Sequence, residues 1–223
     1  MDERSRIRNL LEEGRITREE AELLLSALEE APSGPASPPP EGLRWVRVRM
    51  VAGEIEARLE PSLGEPVVEG AAEVRSIEEG LQVEPSFLGR MGTLELRLPA
   101  GWGLELEAKA AQVEAQGLPF LRGRVTAGNV ELQEVEGLDL EVVAGNVEGS
   151  LLLKSGQHRL RVFLGNAELR FLPESSVRLR TQVGAGRREL RGFEPLGGEA
   201  RMGEGLAQLE VNLRMGNLEA TAG

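Results

Sequence analysis

The sequence predicts a mainly β protein, a single-stranded, β-helix-like solenoid of about 19 residues per coil and roughly ten coils, preceded by a small α-helical hairpin. Three observations predict it. Segments from Leu43 onward, such as 44–50 (RWVRVRM), 104–110 (LELEAKA), 138–143 (LDLEVV) and 158–164 (HRLRVFL), alternate apolar and polar side chains, the period of a strand. A small residue followed by Gly-Asn recurs at Gly128-Asn129, Gly145-Asn146, Gly165-Asn166 and Gly216-Asn217. Quieter copies of that phrase, anchored at Gly53, Ala72, Gly92, Ala111, Gly184 and Gly203, extend the series at a spacing near 19 residues. A solenoid requires such spacing, because each coil returns to the same place one strand further on.

Residues 1–30 read as two short helices. Ile7, Leu10 and Leu11 share one face of the first, which Gly14 ends as a C-cap. Thr17 and Glu20 form a capping box for the second, whose apolar face carries Ala21, Leu24, Leu25 and Leu28. Two helices this short cannot bury both faces alone. Leu10, Leu11, Leu24, Leu25 and Leu28 are therefore candidate docking residues, for a protein partner or for self-association. The alternative is a plain cap on the domain that follows. Residues 31–42, rich in Pro and Gly, form a semi-extended linker, and residues 43–223 form the solenoid.

Aligning the copies gives columns. Two residues after the anchors stand Ile55, Val74, Leu94, Val113, Val130, Val147 and Ala167; five before stand Val48, Val67, Phe87, Leu106, Gly123, Leu140, Leu160 and Leu179. Both columns are expected to point inward. The Gly-Asn phrases form corners, since both residue types tolerate left-handed backbone. Outward, Glu105/Glu107, Arg122/Arg124, Asp139/Glu141 and Arg159/Arg161 alternate in sign, Arg178/Arg180 repeat it, and Glu199 resumes the alternation. Another outward column brings Glu95, Glu114, Glu131, Glu148 and Glu168 into consecutive coils, a like-charge stripe that costs stability unless something neutralises it. Water and neighbouring arginines such as Arg97 and Arg170 are one relief; a basic partner or cations are the other. Arg159, Arg161, Arg178, Arg180, Arg187 and Arg188 make a basic patch, suited to head-to-tail association or an anionic partner. The chain stops at a strand with no capping helix, so an exposed edge is expected there.

Composition narrows the chemistry. With no Cys among 223 residues, disulfides, thiolate metal sites and Cys nucleophiles are excluded. The single histidine, His158, has no recognisable nucleophile or orienting partner. A net charge of −11 argues against nucleic acid, and no apolar run approaches the ~18 residues of a membrane span. A non-enzymatic, cytoplasmic protein without cofactor or metal is expected, meeting membranes only through a partner. Its Arg/Glu-rich, Cys-free composition is compatible with a thermophile and with GC-rich coding alike.

The run LPAGWGLELEA (98–108), followed by repeated Gly-Asn-Val-Glu turns, resembles the bacterial β-solenoid family labelled "putative adhesin", a domain of unknown function. Ala-Gly-Asn stands here where that family more often has Gly-Ser-Gly-Asp. LLEEGRITREEAELLLSAL (10–28) resembles the SHOCT-like hairpin that often precedes such domains in envelope-stress proteins. The resemblance implies a non-enzymatic role, cytoplasmic or membrane-associated. Three functions follow as expectations: an interaction scaffold, an envelope-stress accessory protein acting on a membrane or transcription partner, and, third, a carbohydrate-active β-helix enzyme.

Overall fold

A computed structural model describes residues 42–85 and 92–223 of the chain. The helical hairpin, its five leucines, the linker except Gly42, and Phe87 lie outside the described residues. The chain divides into two units, Met1–Ala36 and Ser37–Gly223; every described residue belongs to the second.

The described residues are mainly β, with 18 strands in one sheet and no helix. The first is β1 (Arg44–Leu59), followed by the short β2 (Val67–Glu69), β3 (Ala72–Ile77), β4 (Gly80–Pro85) and β5 (Thr93–Leu98). A second long strand, β6 (Trp102–Gln116), leads into pairs split at a corner: β7 (Leu121–Ala127) with β8 (Val130–Val135), and β9 (Leu138–Ala144) with β10 (Val147–Leu151). Next come β11 (Gly156–Leu164) with β12 (Ala167–Phe171), and β13 (Val177–Ala185) with β14 (Arg188–Arg191). The hairpin β15 (Glu194–Leu196) and β16 (Glu199–Met202) precedes the last pair, β17 (Ala207–Met215) and β18 (Leu218–Ala222).

Strands that enter a corner pair in parallel with one another, in the order β4, β1, β6, β7, β9, β11, β17, β13. Strands that leave a corner do the same, in the order β5, β1, β6, β8, β10, β12, β18, β14. The corner itself resets the alternation. Val46, Val48 and Met50 are buried before it and Ile55 and Ala57 after it, so even positions give way to odd ones. Leu104, Leu106 and Ala108 hand over to Ala111, Val113 and Ala115 in the same way. Gly145, at φ 152°, makes that reset by approaching the strand beside it; a Cβ there would fall deep inside contact with the Gly128 carbonyl oxygen. Both halves of each rung thus feed a single aliphatic core.

The order differs from the expected sequential stacking. The last strands of the chain do not lie at an edge: β17 sits between β11 and β13, and β18 between β12 and β14. At the other end β1 sits between β4 and β6. Eight rungs result among the described residues, not ten. Ala72 opens an antiparallel partner of β4, and Gly203 lies in the turn before β17. Val74, expected to point inward, is 47% exposed, and Val67 pairs antiparallel with Arg97. The corner of the eighth sequence copy is Gly186, φ 139°, rather than Gly184, so Thr181 rather than Leu179 occupies the column five residues before.

His158 is buried where β11 begins. Its Nδ1 accepts the Leu138 N–H at 3.3 Å, and Nε2 donates to the Ser155 carbonyl at 2.9 Å, which fixes a neutral ring. Desolvation lowers its pKa, outweighing the Ser155 hydrogen bond and the Asp139 charge, which raise it. Because the folded pKa lies below the unfolded one, the unfolded chain takes up the proton first. Unfolding free energy is expected to be level above about pH 6.5 and to fall as pH drops below it. Chemical denaturation across that range, with His158→Gln as the flat control, measures the slope.

Candidate functional site

The sheet's outward surface carries two differently charged fields on either side of the corners. Before the corners, one column runs Arg47, Glu105, Arg122, Asp139, Arg159, Glu210, Arg180 in register. Its neighbour runs Arg49, Glu107, Arg124, Glu141, Arg161, then Asn212 and Gln182. Signs alternate at every step between charged residues. Arg47 Nε and Arg122 Nη2 lie 2.9 and 2.7 Å from Glu105, and Arg124 lies 3.2 Å from Glu141. Burial alone would raise the Glu105 pKa; hydrogen bonds and charge from Arg122 and Arg47 overcome it and hold the carboxyl below its ordinary range. The repeated sign expected at Arg178/Arg180 is absent, because Glu210 from β17 enters between Arg159 and Arg180. Glu199 adds a second carboxylate, 3.8 Å from Arg178 and 2.8 Å from Arg180.

The corners separate the two fields with a backbone-capping ladder. The Oδ1 of Asn129 accepts the Asn146 N–H at 3.1 Å, and that of Asn146 accepts the Asn166 N–H at 2.9 Å. Asn166 accepts from Asn217 at 2.9 Å, and Asn217 from Arg187 at 3.0 Å. Each side chain satisfies one donor of the next rung, so the Gly-Asn phrases do structural work at the turn.

After the corners, charge does not alternate. Glu95, Glu56, Glu114, Glu131, Glu148, Glu168, Glu219 and Glu189 stand opposite one another in unbroken register. Glu69 extends the row across the antiparallel pair. At ~4.8 Å between strands, the eight rungs span about 34 Å. Two residues further along each strand the column reads Arg97, Arg58, Gln116, Gln133, then Ser150, Arg170, Thr221, Arg191. Cations therefore flank the row only toward its ends. Arg97 pairs with Glu69, and Arg191 with Glu189 and Glu219 at 2.7 and 3.1 Å. Among the described residues no ion pair reaches Glu114, Glu131 or Glu148. The Glu114 pKa is raised by desolvation first, then by the charges of Glu131, Glu56 and Glu54. A shallow cleft of about 100 Å³, lined in part by Glu56, Glu95, Glu114 and Gln133, lies on this face.

Such a row opposes folding while it is charged. Glu131→Gln removes one like-charge step on each side and is expected to stabilise the protein by ~0.5 kcal/mol at pH 7 and low salt. The gain is expected to vanish when the carboxylates protonate; urea melts at pH 7 and pH 4 measure both.

All five glutamates singled out from sequence fall in this row. Glu56 and Glu219 belong to it as well; counting three residues from each anchor puts Arg75 between Glu56 and Glu95, and Arg187 and Leu206 between Glu168 and Glu219, none of which lies in the row. Glu189 was hidden by the two-residue slip between Gly184 and Gly186. The basic patch divides: Arg159 and Arg161 join the alternating columns, Arg178 and Arg180 meet Glu199, and Arg187 and Arg188 are exposed on the last rung. Among the described residues no group of three or more His, Cys, Asp or Glu is placed to hold a metal ion.

Comparison with known proteins gives two likenesses. Residues 2–33 match the SHOCT-like domain. The fold is similar to the crystal structure of a "putative cell adhesion protein" from Clostridium sporogenes, with a TM-score of 0.54 and 12% sequence identity, covering 84% of this chain and 97% of that one. No curated protein matches the chain.

Proposed function

We propose that this protein is a non-catalytic interaction scaffold, in which a β-solenoid presents the glutamate row to a basic protein partner. The observation that carries this reading is the contrast between the two outward fields. The same backbone register neutralises every rung on one side of the corners and leaves a like-charged line on the other. A cationic segment lying along the line would relieve its self-repulsion and gain charge complementarity at once. The name of the adhesion protein with the similar fold agrees with an interaction role. The helical hairpin would recruit a second partner or a second copy through Leu10, Leu11, Leu24, Leu25 and Leu28, in the cytoplasm, with no cofactor.

The SHOCT-like match favours a second reading, an envelope-stress accessory protein acting on a membrane or transcription partner. The acidic line would serve that role equally, with the basic partner then a regulator. Binding of a fluorescent oligolysine peptide to the full chain tests the shared premise. Affinity is expected to fall at least ~10-fold in Glu114→Gln/Glu131→Gln/Glu148→Gln, and as steeply with added salt in the parent. Equal binding by parent and triple variant overturns it.

A further inference from the structure

The two ends of the rung order differ in charge. Residues 60–85, which contain β2, β3 and β4, hold seven glutamates against Arg75 alone. Residues 177–202, which form β13 to β16 at the opposite end, hold six arginines against Glu189, Glu194 and Glu199. Both ends also leave strands paired on one side only among the described residues: β3 pairs with β4 and β2 with β5 at the first, β14 with β18 and β15 with β16 at the second. Each outermost hairpin exposes an aliphatic side chain, Val74 at 47% on β3 and Leu196 at 38% on β15. Arg188 stands opposite Leu218, in a column that is aliphatic in the other rungs, and donates to Thr181 Oγ1 at 3.1 Å.

We propose that the basic end of one copy docks on the acidic end of a second copy, strand edge to strand edge. Charges on an edge strand normally block pairing. Here the two ends are opposite in net charge, so contacts between like ends are repelled while the opposite-end contact is attracted. The same residues thus forbid an isologous dimer and select a head-to-tail one. A head-to-tail contact uses two different patches and leaves one of each unoccupied, so it propagates into a linear array unless its rotation closes a ring. An array of this kind would align glutamate rows from successive copies, an outcome that goes beyond the single-copy docking proposed above and is tested separately from it.

Sedimentation velocity of the full chain reads the association. In about 50 mM salt the chain is expected to form concentration-dependent larger species that revert to monomer in about 500 mM salt, as screening shortens the reach of the end charges. Arg180→Glu/Arg187→Glu/Arg188→Glu makes both ends acidic, and Glu65→Arg/Glu73→Arg/Glu78→Arg/Glu84→Arg makes both ends basic. Each variant alone is expected to stay monomeric, and an equimolar mixture is expected to regain the association of the parent. Circular dichroism establishes that both variants are folded. A parent that is monomeric at low salt overturns the proposal. So do variants that keep the parent's mass distribution, a result that would place association in residues 1–41. The triple glutamine variant of the row is expected to associate as the parent does, so failure of oligolysine binding and failure of end docking are read independently.

Discussion

Gly145→Ala is expected to cost at least ~3 kcal/mol and to leave little folded protein at 37 °C. Two effects combine. The φ of 152° lies where side chains are strained, and the added methyl group would overlap the Gly128 carbonyl oxygen. That oxygen cannot retreat, because the Gly128 corner is itself held by the rungs on both sides. Gly165 and Gly216 meet the preceding corner in the same way, so alanine at either position is expected to act alike. Thermal melts of the three variants measure the effect. Gly197→Ala, in the open turn between β15 and β16 where no atom lies within 4 Å of an added Cβ, is the control; its φ of 55° predicts a loss of only about 1 kcal/mol.

Removing residues 207–223 is expected to abolish cooperative unfolding of the β unit. The last seventeen residues of a stacked repeat would ordinarily be its most dispensable part, an end rung whose loss leaves the others intact. Here β17 and β18 are interior. Leu209, Val211, Leu213, Leu218 and Ala220 are at most 2% exposed, and both flanking rungs lose a partner with them. Without Glu210, Arg159 and Arg180 would face each other if the gap closed. Point substitutions grade the same claim: Leu213→Ala is expected to cost ~2–5 kcal/mol, and the half-buried Leu190→Ala on the outermost rung clearly less. Denaturant unfolding of the truncated chain and the two variants decides it.

Strand alternation and the Gly-Asn corners made the β class and the corner positions legible, because both follow from local backbone chemistry. Five glutamates of the row were legible for the same reason: between Ala111 and Gly165 the rungs are consecutive in sequence and in space. Order at the two ends was not. The run Val-Gly-Ala-Gly at 183–186 offers two equivalent anchors, and only tertiary pairing selects Gly186. The hairpins around 67–85 and 194–202 happen to occupy one repeat length each, so spacing alone counted them as rungs. Two signals did point to the exchange: the repeated sign at Arg178/Arg180, and the short step from Gly203 to Gly216. A charged ladder is a register code only when the correct neighbour is known, and Glu210 becomes intelligible once β17 is seen between β11 and β13.

The alternating field and the acidic row share their strands, which ties the acidic row to the register. Any slip that repaired the row would misalign the Arg–carboxylate columns across the corner. Stability is thereby concentrated on one face while the other holds its charge uncompensated toward the middle. NMR titration of the Glu114 side-chain carboxyl, in the parent and in Glu131→Gln, tests this most directly. A midpoint above the ordinary glutamate value that moves down in the variant is the expected result, since Glu131 stands opposite Glu114 and raises its pKa. An ordinary midpoint that Glu131→Gln leaves unmoved would contradict both the register and the uncompensated row.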